Sequence, residues 1–144
     1  MSIILAAIFV ISKLNRITPL SLLDKNSYNA YSGVAIKGYD PVCYFVQGSR
    51  KGNIKFQTEW KGVTWWFDSQ SNMDLFLSNP EHYSPQFGGY CAFAVITGFT
   101  ATIDPTAYVI QDEKLYLFNG QDLKINFSVD LDQSIKTANK KWYN

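Results

Sequence analysis

The sequence predicts an α+β fold in which antiparallel β-hairpins pack against short helices and a long C-terminal helix. Apolar side chains recur at every second position over residues 54–60 and 63–67, with Lys61-Gly62 between them, which predicts a hairpin. A second hairpin is predicted from residues 107–110 and 114–118. Near the C-terminus, apolar residues recur at helical spacings: Phe127, Leu131, Ile135, Ala138 and Trp142.

The elements between the hairpins are predicted from their boundaries. Residues 34–36 and 42–46 are short apolar runs followed by turn residues, which favours strands. Residues 69–78 have an apolar face and a plausible N-cap in Ser69, so we expect a helix. Pro80 ends that helix and can open a single further turn.

The composition is that of one small globular domain. The chain has 144 residues, of which 47% are hydrophobic and 17% are charged, so it can bury a core. A net charge of +1 gives no sign of a nucleic-acid partner. Two Cys and one His exclude a disulfide-rich scaffold, a four-cysteine zinc knuckle and a multi-histidine metal site within one chain.

The first 32 residues are predicted to lie outside the folded domain. Residues 3–11 are unbroken apolar, too short to span a bilayer but as long as the core of a signal peptide, although no Lys or Arg precedes them. A weak signal peptide, a membrane-associated helix, a gene start cut short and a helix docked on its own domain all remain open. We favour membrane association or export, hence the cell envelope. Residues 20–32 read as a linker, and the domain as residues 33–144.

Cys91 is the sharper of the two cysteine candidates. It follows Gly88-Gly89 and lies in the first turn of a helix predicted over residues 90–97, with Gly98 as its C-cap. Free N–H groups and the helix dipole would stabilise a thiolate there, and the paired glycines would let another group approach the backbone. Alternatively, the glycines form a tight turn and the thiol packs inward.

A mixed set of sulfur, nitrogen and oxygen ligands is available if the fold brings it together. Cys43 is expected near a strand start, His82 in a polar turn, Asp40 in a turn, and Asp68 at the start of the helix predicted over residues 69–78. With Cys91, these side chains would suit Zn or Cu. Their spacing matches no recognised zinc pattern, and each has an ordinary structural role as an alternative.

Aromatic side chains offer a different kind of site. Tyr90, Phe93, Trp65 and Trp66 would line a pocket for a small apolar molecule, next to Gly88-Gly89. The alternative is that these rings form the core between sheet and helices.

Four segments together resemble a known family. They are GVAIKGYDPVCYF at residues 33–45, WKGVTWWFDSQSNMDLFLSNPEHYSPQFGGYCAFAV at 60–95, IDP at 103–105 and KLYLF at 114–118. They resemble the bacterial YHS-domain proteins, and more narrowly a small, often exported branch with GYDPVxYF and GGYCAxAV segments. The resemblance extends over residues 33–142.

The resemblance implies a metal-associated module, with one departure. Short YHS domains are regarded as metal-binding and occur beside copper and heavy-metal transport systems, with DPVC and FCSxxC segments. Cys43 matches the first segment, but Asp68 and Asn72 stand where the two cysteines of the second would be. Cys91 lies on the GGYC segment of the exported branch, some of whose members are labelled selenoproteins. His82 falls where that branch often has Lys.

We therefore expect a non-enzymatic module that binds copper or zinc through Cys43 and Cys91, with Asp68 and His82 as lesser ligands. One alternative is a thiol redox protein that uses Cys91 with or without Cys43. Another is a structural or small-ligand module around Asp40, Gly88, Gly89 and Tyr90. No base–nucleophile pair that would indicate a hydrolase or transferase is visible.

Overall fold

A computed structural model describes residues 2–14 and 16–144 and confirms the predicted α+β class. The strands are β1 (Ala30–Tyr31), β2 (Val34–Ala35), β3 (Asn53–Trp60), β4 (Val63–Phe67), β5 (Asp104–Gln111) and β6 (Lys114–Phe118). The helices are α1 (Ile3–Leu14), α2 (Cys43–Val46), α3 (Gln70–Ser78), α4 (Pro80–Tyr83), α5 (Ala92–Ile96), α6 (Gln121–Ser128) and α7 (Leu131–Trp142). Short 3₁₀ turns lie at Leu20–Leu22, Ile36–Gly38 and Phe87–Gly89.

Both predicted hairpins are present, in two separate sheets. One sheet has the order β1-β2-β4-β3 and the other pairs β5 with β6. Strands β3 and β4 are antiparallel, whereas β2 pairs with β4 in parallel, so the larger sheet is mixed. Lys61 and Gly62 both have positive φ, at 54° and 76°, which is the left-handed turn that suits the twist of a hairpin.

An aromatic core joins the larger sheet to α3. Trp65 and Phe76 are almost fully buried, with ring centroids 5.1 Å apart. Trp60 contacts both rings, with a tilted arrangement on Trp65 at 5.8 Å and an edge-to-face one on Phe76 at 5.7 Å. As predicted, Ser69 caps α3: its hydroxyl accepts from the backbone N–H of Asn72. The cap and the ring contacts together fix α3 on the sheet.

The predicted strand over residues 42–46 is wrong, because residues 43–46 form helix α2 and Val42 is its N-cap. The carboxylate of Asp40 accepts from the backbone N–H groups of Val42 and Cys43, and this local turn leads the chain into the helix. The preceding strand is also shorter than predicted. It ends at Ala35, since Ile36 and Lys37 have positive φ.

The C-terminal helix is present as α7, but it starts later than predicted. Phe127 belongs to a separate helix, α6, and the chain breaks at the exposed Val129 and at Asp130. The Asp130 side chain accepts from the backbone N–H of Gln133 and so begins a new helix. The apolar spacing continues across the break, which explains why it reads as one helix.

The segment expected to be a linker, residues 20–32, packs on the domain. Leu20 is buried, and β1 pairs with β2. The Asn29 N–H donates to the carbonyl of Gly88 at 2.7 Å. Lys25 donates to the carbonyl of Trp142 at the end of α7. The polar residues of this segment suggested a linker, but Lys25 and Asn29 make hydrogen bonds that attach the segment to the domain.

Helix α1 exposes apolar side chains, among them Ile3, Ile4 and Leu5. Its 12 residues correspond to about 18 Å of helix. Within the part of the chain that the structure describes, no helix has both the length and the apolar character needed to cross a membrane.

Candidate functional site

Asp40 is a carboxylate at the centre of the domain, with no exposed surface. Its Oδ1 accepts from the backbone N–H groups of Val42 at 2.7 Å and Cys43 at 3.3 Å. Its Oδ2 accepts from the backbone N–H of Asp68 at 2.7 Å and from the side-chain amide of Asn72 at 2.8 Å. Four donors therefore replace the water that this carboxylate loses on burial.

The thiol of Cys43 lies beside this carboxylate and is also fully buried. Its sulfur accepts from the amide nitrogen of Gln47 at 3.3 Å and from that of Asn72 at 3.5 Å. The Asn72 amide thus contacts both Asp40 and Cys43. We call Asp40, Cys43, Gln47 and Asn72 the polar cluster.

The cluster holds Cys43 as a neutral thiol near neutral pH. Burial raises the pKa of Cys43 to about 11, and the negative charge of Asp40 acts in the same direction. The hydrogen bond from Gln47 opposes this change without reversing it. A cation placed beside the sulfur would favour the thiolate, because it supplies the positive charge that the cluster lacks.

Asp68 and His82 are not members of the polar cluster. Asp68 contributes its backbone N–H to Asp40, while its carboxylate faces Arg50 at 3.4 Å and is partly exposed. The half-buried His82 ring packs on Phe45 and Tyr83, with centroids 5.1 and 4.7 Å away. The donors to the Cys43 sulfur are Gln47 and Asn72, whereas the charge of Asp68 adds a smaller increase to the pKa of that thiol.

Cys91 occupies a different, apolar setting. It is the N-cap of α5 rather than a residue of its first turn, and it has no exposed surface. Its sulfur accepts from the backbone N–H of Asn119 at 3.3 Å, just beyond β6. Burial raises the pKa of Cys91, and the N–H groups of Phe93 and Ala94 at the start of α5 only partly oppose it. The expected helix effect is therefore present, but burial outweighs it.

The paired glycines serve the chain's own backbone. Gly88 has a φ of 60°, and a Cβ there would lie 3.1 Å from the carbonyl of Ser27. The group that approaches closely is thus the segment predicted as a linker. Tyr90 is half-buried, and burial raises its pKa. A polar cleft of about 250 Å³ that includes Gly88 and Lys25 opens at this place.

The proposed aromatic pocket is not assembled from the four predicted rings. Trp65 is packed in the core against Trp60 and Phe76. Phe93 instead lines an apolar surface groove together with Phe99. Trp65 therefore belongs to the core between sheet and helices, which was the alternative to a pocket.

Sequence reasoning missed Gln47 and gave Asn72 only as a departure from the family pattern. Gln47 stands four residues after Cys43, which is the distance at which side chains meet on a helix. Reading residues 42–46 as a strand concealed that relation. Asn72 could have been found from its place in the first turn of a helix that follows Asp68.

The cluster's donor set can be compared with what a metal ion needs. Among residues 2–14 and 16–144, no three His, Cys, Asp or Glu side chains are grouped so as to hold a metal ion. The cluster offers one sulfur and one carboxylate, and two neutral carboxamides whose oxygens become ligands if the amides rotate. This set does not fit a thiolate-rich site, and its sulfur and its carboxylate are the two groups that could bind an ion as anions.

Gln47 is the exposed member of the polar cluster. Its side chain reaches solvent although it donates to the buried sulfur.

Comparison with known proteins identifies the segment that contains the polar cluster. The family model described as "YHS domain" matches residues 40–87, which include all four residues of the cluster together with Asp68 and His82. Cys91 and Gly88-Gly89 lie just outside that match. No curated protein and no solved structure matches the chain. The chain therefore contains a YHS domain, over residues 40–87.

Proposed function

We propose that the protein is a non-enzymatic binding module for one transition-metal ion, with Cys43 and Asp40 as its anionic ligands. YHS domains are commonly metal-associated, and the matched segment carries this thiol and carboxylate together. The observation that supports the proposal most is the Asn72 amide nitrogen, 2.8 Å from Asp40 Oδ2 and 3.5 Å from Cys43 Sγ. It occupies the position between two potential anions that a cation would take.

The charges support a divalent ion. A thiolate and a carboxylate carry two negative charges, and the carboxamides of Gln47 and Asn72 are neutral, so Zn²⁺ would leave the cluster uncharged. Copper is the other candidate. Because the site has one sulfur, we expect weaker binding than at a thiolate-rich site.

Binding must release the thiol proton, and this gives the proposal a pH signature. The pKa of Cys43 is about 11, so the thiol is protonated throughout the neutral range. Affinity should therefore rise about tenfold for each unit of pH below that value. A metal held by carboxylates or backbone carbonyls alone would show a much flatter dependence.

The test is a Zn²⁺ and Cu⁺ titration of the full chain, followed by native mass spectrometry and by competition with a chromophoric chelator. We expect one ion in the wild type and in Cys91→Ser, and none in Cys43→Ser. Cys91→Ser is the matched control, since it removes an equally buried thiol outside the polar cluster. Circular dichroism should confirm that each variant is folded.

A second variant sharpens the result. Asn72→Cys places a second sulfur beside Cys43, at a position where the family pattern has Cys, and should bind the metal more tightly than the wild type. Unchanged uptake in Cys43→Ser, or no uptake by the wild type, would contradict the proposal.

The second candidate is a purely structural cluster within a binding or interaction module. Its support is that four N–H donors already form hydrogen bonds to the two oxygens of the Asp40 carboxylate. A thiol redox role has less support. Both cysteines are free and fully buried, and burial raises the pKa of each, so neither is poised as a thiolate nucleophile.

We also propose that the protein belongs to the cell envelope and contacts membrane through residues 3–11. The support is the row of exposed apolar side chains along α1. Fractionation of cells that produce the full chain tests this, and recovery only in a soluble cytosolic fraction would contradict it.

A further inference from the structure

We infer that the domain itself carries a second membrane contact, an apolar groove that docks on an anionic lipid surface. The inference is separate from the metal proposal and extends the membrane association proposed for residues 3–11. The apolar groove has a volume of about 320 Å³, and its lining includes Ile17, Phe93, Ala94, Thr97, Phe99 and Leu123.

The groove is apolar and open to solvent. Its lining contains no charged side chain. Ile17 is 40% exposed and Phe99 is 43% exposed. Phe93 and Leu123 are half-buried and form the floor, from α5 and α6. Exposed apolar side chains gathered in this way mark a surface that a partner or a membrane covers.

The position of α1 argues for a membrane as the occupant. This helix ends at Leu14, and residues 16–19 then follow the edge of the groove. Thr18 and Thr100 exchange hydrogen bonds, at 2.8 and 2.9 Å, and Pro19 pairs with Phe99. The apolar helix therefore leaves the domain at its apolar surface. A bilayer that receives α1 would meet the groove next.

The charges at the same place favour anionic lipid. Arg16 and Lys37 both lie over the ring of Tyr31, at 4.4 and 4.9 Å from its centroid. Arg16 immediately precedes Ile17 in the chain. The hydroxyl of Thr100, which lines the groove, donates to the carbonyl of Arg16. One acidic residue, Asp122, is adjacent in the chain to a lining residue of the groove, Leu123. Two cations beside an apolar surface suit lipid headgroups of negative charge.

The test uses the full chain and vesicles of phosphatidylcholine with or without phosphatidylglycerol. A fluorophore is attached at Thr97→Cys on the groove, at Ser2→Cys before α1, or at Leu77→Cys on α3 as a control. The two native cysteines are fully buried and should stay unlabelled. Nitroxide-labelled lipids in the vesicles then quench any fluorophore that reaches the bilayer.

We expect quenching at positions 2 and 97 and little at position 77, and stronger quenching with phosphatidylglycerol. Phe99→Glu should weaken vesicle binding about tenfold, whereas Leu77→Glu, an equivalent change on α3, should not. Arg16→Gln combined with Lys37→Gln should remove much of the dependence on anionic lipid and on salt, and Lys55→Gln should not.

Four outcomes would overturn the inference. Quenching at position 2 but not at 97 would mean that α1 alone tethers the domain. Equal effects of Phe99→Glu and Leu77→Glu would remove the groove's special role. A dimer in solution that protects position 97 without vesicles would assign the groove to a second copy of the chain. Absence of vesicle binding would contradict both membrane proposals.

Discussion

The two cysteines are equally buried, yet their surroundings differ in kind. Cys43 lies among a carboxylate and two carboxamides. Cys91 packs in the apolar core, and the polar groups that face its sulfur are the backbone N–H groups of Phe93, Ala94 and Asn119. Burial raises the pKa of both thiols. The comparison shows that burial alone does not distinguish a candidate ligand from a core residue. The polar groups around the sulfur make that distinction.

The largest effect should come from the carboxylate that defines the polar setting. Asp40→Ala removes the acceptor of four N–H donors, two of them fully buried, and we expect a loss of about 4 kcal/mol in the free energy of unfolding. Urea denaturation measures it. Asp74→Ala, on the exposed face of α3, is the control and should change stability by less than about 0.5 kcal/mol. A similarly small loss for Asp40→Ala would mean that the cluster is not a structural unit.

The cysteine pair itself gives a smaller and more discriminating effect. Cys91→Ser puts a hydroxyl into apolar surroundings and should cost about 2 kcal/mol, because its donor has no polar partner beyond the backbone. Cys43→Ser puts the same hydroxyl beside Asp40, Gln47 and Asn72 and should cost less than about 1 kcal/mol. Urea denaturation of the two variants under identical conditions gives the difference. Equal losses would remove the distinction drawn between the two environments.

The smallest effect is a dependence of stability on alkaline pH. The pKa of Cys43 rises on folding from 9.0 to about 11, so the unfolded chain loses this proton first as pH increases. Stability from this group is complete below pH 9 and is lost as pH rises through 11. Cys91 acts in the same direction. Urea midpoints across this range should fall less steeply in the Cys43→Ser/Cys91→Ser double variant. Buried tyrosines cause the decline that remains.

Most of the fold could be predicted because its signals are local. The period-two runs around Lys61-Gly62, the Ser69 cap and the Pro80 turn depend on neighbouring residues, and all three are present. The errors occurred where a side chain acts on the backbone a few residues away. Asp40 converts an apparent strand into α2, and Asp130 divides an apparent single helix.

The candidate site was less accessible to prediction, because its members meet only through tertiary contacts. Cys43 and Asp40 could be singled out, and the resemblance pointed to positions 68 and 72. In the structure, the Asn72 side chain contacts both Asp40 and Cys43. Asp68 instead contributes its backbone N–H, and its carboxylate faces Arg50. These orientations depend on how α3 packs on β4. Spacing along the chain does not contain that information.

The hydrogen bonds from Asp68 and Asn72 to Asp40 also constrain the order in which the domain can fold. They join residues 28 and 32 positions apart, and the hairpin β3–β4 occupies about half of the intervening chain. Closing so long a loop of free chain is entropically unfavourable, but a hairpin that has already formed shortens the distance to be closed. The amide hydrogen of Asp68 should accordingly exchange with solvent only when the carboxylate and the hairpin separate. It would serve as a single-residue reporter of that cooperative opening.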